Sequence, residues 1–428
     1  MRSRSPNPSQ RDRRPVRWPV ISVEHLWPLT VLIGIFIFLN THPIRPHDFW
    51  WHMAVGRETV TTGRIATADT YSFTAQGTPY PSYQMFWLPE VVLYVVYTLG
   101  GPALIVLVHS LIVSASYALT LGLTYKLTQR WRMAALATLF AAALGINDWN
   151  VRPQAFTFWL APLFLLAIHH YREKRQVRWL AVLPLGMVLW VNSHGTFILG
   201  FVLLGLWLAQ EVWEIIAEKL DLTQAATHDY RRDLRLAVPA AALVMTAAAS
   251  LITPQGLGIV TYVRTLTADP VVQSLVPEWA PPSVSTWEGR LFLVGFLGMV
   301  GVLAISPCRP TPFQLLSFLA FAGLGLTTAR GVIWFGLVAA PTMAIHLSAL
   351  AQQLLRPPKY GHRRQRAGLN VTIAGLLLLS ACLTLPWFKA SLPLPPAKAG
   401  LISSETPIEA ADFLLEAKPP GPLFHAMP

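Results

Sequence analysis

The sequence predicts an all-α protein, a polytopic bundle of about eleven membrane-crossing helices with its N-terminus inside and its C-terminus outside. Three observations carry this prediction: a low content of charge, apolar runs of spanning length, and basic residues sorted to one side. Of 428 residues, 53% are hydrophobic and 13% charged, about half the ~25% charged content of an average soluble domain. So few charges cannot cover a soluble surface of this size, which excludes a soluble enzyme, a disordered chain and a coiled coil. The net charge of +12 is spread over short loops beside apolar runs, so it marks loop asymmetry rather than a nucleic-acid surface. Cys308 and Cys382 are the only cysteines, at no metal-ligand spacing. The basic N-terminal stretch leads into an apolar run too long for a cleavable signal and lacking a small-residue cleavage site.

A helix needs roughly 20 apolar residues to cross a hydrocarbon layer of about 30 Å. Runs that meet or approach this length lie at 22–40, 102–126, 133–148, 153–171, 179–193, 195–216, 235–253, 290–306, 312–328, 331–353 and 368–387. The shorter ones, such as 133–148 and 179–193, must thin the bilayer or pack inside the bundle. The apolar piece 89–99 is too short to cross. Gly100-Gly101-Pro102 parts it from the next run, which predicts an interfacial or re-entrant helix. With residues 1–20 as a basic cytoplasmic segment, the inner side holds 23 of the 33 Lys and Arg against nine acids. The outer side holds ten against twelve, so the net charge is +14 inside and −2 outside. Every inner loop obeys the positive-inside rule. The transmembrane region is 21–388. An external tail, 389–428, carries a short helix at 407–417, opened by Thr406-Pro407-Ile408-Glu409, which reads as a capping box with proline at the first helical position.

This layout gathers the uncommon polar residues on the outer side. The first outer loop, 41–88, carries Asp48, His52, Arg57, Asp69 and Gln84. The second holds Asn147, Asp148 and Arg152, the third Asn192, Ser193 and His194. The fourth, 254–289, holds Arg264, Asp269, Glu278 and Glu288, and the fifth holds Arg330. Within the first loop a helix runs from Phe49 to Thr62, with Asp48 as N-cap and Gly63 at its end. Trp50 and Trp51 suit a helix lying at the interface. Each residue also has a plainer reading: Asp48 as a cap, Glu90 after Pro89 as a helix-start acid, Asp69 as a turn residue, His52 as an interface residue beside two tryptophans. Arg152 would then lie at headgroup level. What favours a site is the convergence of five loops on one surface. An outward site of this kind could use a carboxylate as a base and a cation to hold an anionic group. Arg152, Arg330 and Arg264 are the outer cations suited to grip phosphate. His194 is suited to donate to it or take a proton, and His52, Asn192 and Glu278 complete the candidate substrate contacts.

The motifs carry a resemblance. They are Asp48-Phe49-Trp50-Trp51-His52-Met53-Ala54-Val55-Gly56-Arg57, Asp69-Thr70-Tyr71-Ser72-Phe73-Thr74, Trp87-Leu88-Pro89-Glu90 and Arg152-Pro153-Gln154. Trp190-Val191-Asn192-Ser193-His194-Gly195, Thr253-Pro254-Gln255-Gly256 and Glu278-Trp279 follow. In this order over nearly the whole chain, they resemble GT-C-class membrane glycosyltransferases, and among them a bacterial group with the Asp-x-Trp-Trp-His first-loop pattern. The resemblance implies a polyprenyl-phosphate-linked sugar donor in the membrane. It implies Asp48 as the base, Asp69 or Glu90 as a second acid, and a site on the outer face of the cytoplasmic membrane. Many members show an Asp-Glu pair where His47-Asp48 stands here, so a divalent metal stays an open cofactor and no ligand set is assigned. The acceptor is not specified. Two other functions compete. A transporter or flippase of a lipid-linked or anionic substrate calls for ionisable residues in mid-membrane, whereas Glu211 and Glu214 lie only near an inner end. A non-catalytic scaffold would leave the outer acids incidental.

Overall fold

The computed structural model describes residues 21–80, 82–220, 232–268, 277–355 and 367–421. The basic segment 1–20, Asp269 and the basic run 356–366 lie outside the described residues. Among the described residues the secondary structure is helical, with two isolated β-bridges and no strand. The helices are α1 (Val23–Asn40), α2 (Phe49–Thr62), α3 (Ser82–Thr128), α4 (Trp131–Gly145), α5 (Leu160–Lys174), α6 (Val182–Val191) and α7 (Ile198–Lys219). Then come α8 (Arg232–Ala249), α9 (Gly258–Ala268), α10 (Trp287–Ile305), α11 (Pro312–Thr327), α12 (Val332–Leu354), α13 (Ala367–Leu383), α14 (Pro396–Ala399) and α15 (Ile408–Ala417).

A helix stands at each of the eleven expected crossings. Five stretches are long and apolar enough to cross unaided: Val23–Asn40, Gln84–Thr128, Gly195–Lys219, Trp287–Ile305 and Ala329–Leu354. The interior of α3 is broken where Gly100-Gly101-Pro102 predicts it. Gly101 takes φ 60°, ψ −158°, a conformation essentially reserved for glycine. One detail differs from the sequence reading. The first limb of α3 begins at Ser82, so Pro89 and Glu90 lie inside a helix rather than in its first turn.

The core is built around α12, apolar on all sides and almost wholly buried, as a central helix must be. It packs along α4 through small residues: a Cβ on Gly336 would stand 3.0 Å from the Ala141 carbonyl oxygen. Trp334 stacks on Trp190 at 5.7 Å and meets the edge of Phe158 at 5.6 Å. At one end of the bundle lie the ion pairs of the expected inner side: Arg132–Glu24 and Lys126–Glu173 at 2.8 Å, and Arg172 with Glu211 at 3.3 Å. The tail docks near the opposite end of α1. Lys389 is buried and its Nζ donates to the Asn40 carbonyl at 3.2 Å. Ile44 and Ile402 form a parallel bridge. The expected capping box of α15 does not form: Pro407 is the N-cap, and Thr406 Oγ1 is buried without a partner.

Candidate active site

Docking of α2 on α3 positions the first-loop residues. Phe49 and Met53 are buried with Ile44, Leu93, Ile105 and Val106 in a small core of their own. His52 and Gly56, one turn apart, share a stripe that faces Glu90. The contact is close: a Cβ on Gly56 would lie 2.1 Å from the Glu90 carbonyl oxygen, so only glycine fits. One turn before it, His52 Nδ1 lies 2.8 Å from Glu90 Oε1, and both side chains are buried. His52 and Glu90 are therefore turned toward each other. They hold the first-loop helix rather than presenting themselves as an outward phosphate ligand and a second acid.

This docking fixes where α2 begins, and with it Asp48. The residue occupies the N-cap position, but its backbone is helical (φ −88°, ψ −1°) and its carboxylate makes no cap hydrogen bond. The capping expectation is thus corrected. Asp48 Oδ2 instead lies 3.5 Å from Arg152 Nε, with half of the Asp48 side chain exposed. Arg152 is extended, as a residue before proline is driven to be, at φ −140°, ψ 158°. Its Nη1 donates to Glu278 Oε1 at 2.5 Å. The other carboxylate oxygen of Glu278 accepts from Arg330 Nε at 2.6 Å and pairs with Arg330 Nη2. Thr328 Oγ1 donates to the Glu278 carbonyl at 3.0 Å, and Ala329 N–H to the Ala280 carbonyl at 2.9 Å. The Arg330 guanidinium lies over the Trp279 ring at 6.0 Å, a cation–π contact. A chain of ion pairs, Asp48–Arg152–Glu278–Arg330, thus joins four of the loops expected on the outer side, the first, second, fourth and fifth.

Charge inside this cluster sets protonation. Burial would raise the Glu278 carboxyl, but Arg330 and Arg152 outweigh it and hold it below the usual carboxylate range. Asp148 is half-buried nearby, and burial together with the Glu278 charge pushes it up to about 8 against the pull of Arg330 and Arg152. It is therefore largely protonated at neutral pH. Asp148 is absent from the expected site residues, although its place four residues before Arg152 was a signal. His194 is driven down to about 3 by burial and by the charges of Arg330, His52 and Arg152. Its Nδ1 accepts from the Thr196 N–H at 3.2 Å, which assigns the hydrogen of the neutral ring to Nε2. His194 is then a donor at neutral pH, not a cation. His47 is also lowered, by burial and by Arg152 and Arg45.

The other expected residues fall elsewhere. Asp69 closes its own turn, accepting from the backbone N–H groups of Tyr71 at 2.8 Å and Ser72 at 2.9 Å. The Asn192 amide is committed at both ends. Its oxygen takes Trp87 Nε1 at 2.8 Å, and its nitrogen donates to the carbonyls of Val188 at 2.8 Å and Ile252 at 2.7 Å. Asn192 ties α3 and α6 to the end of α8. Arg264 is an exposed residue of α9. Asp148 lines a narrow cleft with Asn147, Glu288 and Ala329. This cleft shares Asn147 and Glu288 with a cavity of about 160 Å³ that is also lined by His42, Arg45, His109 and Trp287. Among the described residues no group of three His, Cys, Asp or Glu side chains is placed to hold a metal ion.

Solved structures share this polytopic helical fold. The oligosaccharyltransferase of Archaeoglobus fulgidus in its apo form aligns with a TM-score of 0.55 at 12% identity, over 92% of this chain and 58% of that one. The archaeal oligosaccharyltransferase AglB from the same organism, in complex with an inhibitory peptide and a dolichol-phosphate, aligns at 0.56 and 14% over the same shares. The A. fulgidus enzyme in complex with Zn and sulfate aligns at 0.50 and 13%, over 92% of this chain and 55% of that one. The chain spans under three-fifths of the length of these proteins. At this identity the likeness defines the fold. The sequence matches no family model and no curated protein.

Proposed function

We propose that the protein is a membrane glycosyltransferase that moves a sugar from a polyprenyl-phosphate-linked donor to an acceptor at the outer face of a bacterial cytoplasmic membrane. The observation that carries this reading is Asp48. Its carboxylate makes no cap hydrogen bond and lies against Arg152, which Glu278 links to Arg330, at the loop end of a GT-C-type bundle. The lipid-phosphate partner of AglB, which has the same fold, supports a phosphate-linked donor.

In this reaction an acceptor oxygen attacks the anomeric carbon of the donor. Its proton passes to Asp48, and the bond between that carbon and the phosphate oxygen breaks. Negative charge then grows on the phosphate. Arg152 and Arg330 are placed to take it, each with five N–H donors of which Glu278 engages only part. The protonated Asp148 carboxyl and the Nε2–H of His194 add neutral donors beside them. The cavity lined by His42, Asn147, Trp287 and Glu288 offers aromatic and amide surface for a sugar.

Asp48→Asn tests the assignment. Asparagine keeps the shape and removes the base, and no cap hydrogen bond is lost because none is made. Label transfer from a polyprenyl-phosphate sugar by the purified protein is expected to fall by about 10²-fold or more, with melting unchanged. A fully active Asp48→Asn protein removes the base. Counterflow in liposomes without transfer would replace the enzyme by a transporter.

A further inference from the structure

We propose that Arg152 is the resident cation of this cluster, bridging Asp48 and Glu278 in the place a divalent metal ion would take, so that the site works without one. Asp48 and Glu278 are the two acids of the chain of ion pairs, and the Arg152 side chain reaches both, at 3.5 Å and 2.5 Å, through different nitrogen atoms. A planar guanidinium can do this because its N–H groups diverge in a fixed fork. Its charge is permanent, so the bridge neither titrates nor exchanges as a bound ion does.

Charge balance supports the same conclusion. The ion-pair chain holds two carboxylates and two guanidiniums, and is neutral as it stands. A divalent ion entering it would meet two fixed positive charges and gain no carboxylate that is not already paired. A third ligand is also missing, since no metal-binding group of three occurs among the described residues. The bridge is built in rather than incidental. Arg152 is mostly buried, with its side chain 17% exposed, and its backbone is set by Pro153. Glu278 is anchored through its own carbonyl by Thr328. The sequence leaves a metal open because it shows the acids but not which cation lies between them.

That the reaction proceeds without a metal rests on the glycosyltransferase reading. That no metal enters between Asp48 and Glu278 does not, and the binding test reads only the latter. The full chain, purified in detergent and stripped with chelator, is titrated with Mn²⁺ while free Mn²⁺ is followed by electron paramagnetic resonance. Wild type, Asp48→Asn and Glu278→Gln are expected to bind Mn²⁺ identically. Arg152→Met, which leaves Asp48 unpaired and Glu278 held by Arg330 alone, is expected to gain a site that a second Asp48→Asn change removes. A Mn²⁺ site in the wild type that either acid substitution abolishes overturns the proposal. That comparison decides even if Arg152→Met fails to fold. In the parallel assay, chelated wild type is expected to transfer label within twofold of the untreated protein. A chain with no transfer under any condition refutes the glycosyltransferase reading, while the binding comparison still decides the bridge.

Discussion

Replacing Gly56 by alanine should unseat the first-loop helix and with it Asp48. The added Cβ would stand 2.1 Å from the Glu90 carbonyl oxygen, 2.6 Å from its carbon and 3.1 Å from Tyr94 Cβ. Carbon–oxygen contacts settle near ~3.3 Å, so the two backbones must part by about 1 Å. Neither is a flexible side chain that can swing away. One turn along, the 2.8 Å contact of His52 with Glu90 would stretch past hydrogen-bonding range. Overpacking costs about 1–3 kcal/mol, and loss of a buried hydrogen bond to a charged group about 1.5–3 kcal/mol. The better helix propensity of alanine returns about 1 kcal/mol. The net loss is roughly 1.5–5 kcal/mol, which should appear as a clear drop in melting temperature. Asp48 lies two helical turns away, about 12 Å along the axis. A shift of about 1 Å there should lower transfer by about 10²-fold. Gly122→Ala is the control, because nothing lies within 4 Å of its Cβ position. Thermal unfolding in detergent and label transfer are the assays. A Gly56→Ala protein that melts and transfers like wild type refutes the docking role assigned to this contact.

Two further predictions concern pH and have opposite signs. Asp148, raised to about 8 in the fold, keeps a proton that the unfolded chain releases near pH 4. Its contribution is present at low pH and is lost as pH rises through about 8. Asp148→Asn should therefore flatten the decline in melting temperature between about pH 5 and pH 8, and parallel curves would refute the burial of that carboxyl. His194, lowered to about 3, contributes stability above the unfolded value of 6.5 that is lost as pH falls toward 3. His194→Asn, whose amide oxygen can replace Nδ1 in accepting from Thr196, should reduce acid sensitivity while leaving melting at neutral pH close to wild type. Unchanged acid sensitivity would place His194 in contact with solvent.

The sequence by itself determined the helices and their punctuation. Membrane helices satisfy their backbone locally, so apolar runs, the Gly100-Gly101-Pro102 break and Gly63 in the left-handed conformation at φ 66° are legible one segment at a time. It also singled out most of the cluster, because Asp48, Arg152, Glu278 and Arg330 are uncommon residue types at the same ends of their helices. What it could not decide were choices between local and distant partners. Asp48 could cap its own helix or face Arg152, and the outcome depends on its backbone conformation and on a residue more than 100 positions away. Glu90 reads from the sequence as a helix-start acid or, by the resemblance, as a second acid, because its partner, His52, is reached only when Gly56 lets two backbones touch. Asp148 counts among the polar residues of the second loop but not among the site candidates, because a carboxyl is presumed charged until burial and a neighbouring Glu278 change its protonation. Asp69 and Asn192 looked as promising as the others until the structure showed their polar atoms already used, one within its own turn and one tying three helices together. In each case the deciding quantity was the packing of segments remote in sequence, which sets distance and burial and so the electrostatics of the site.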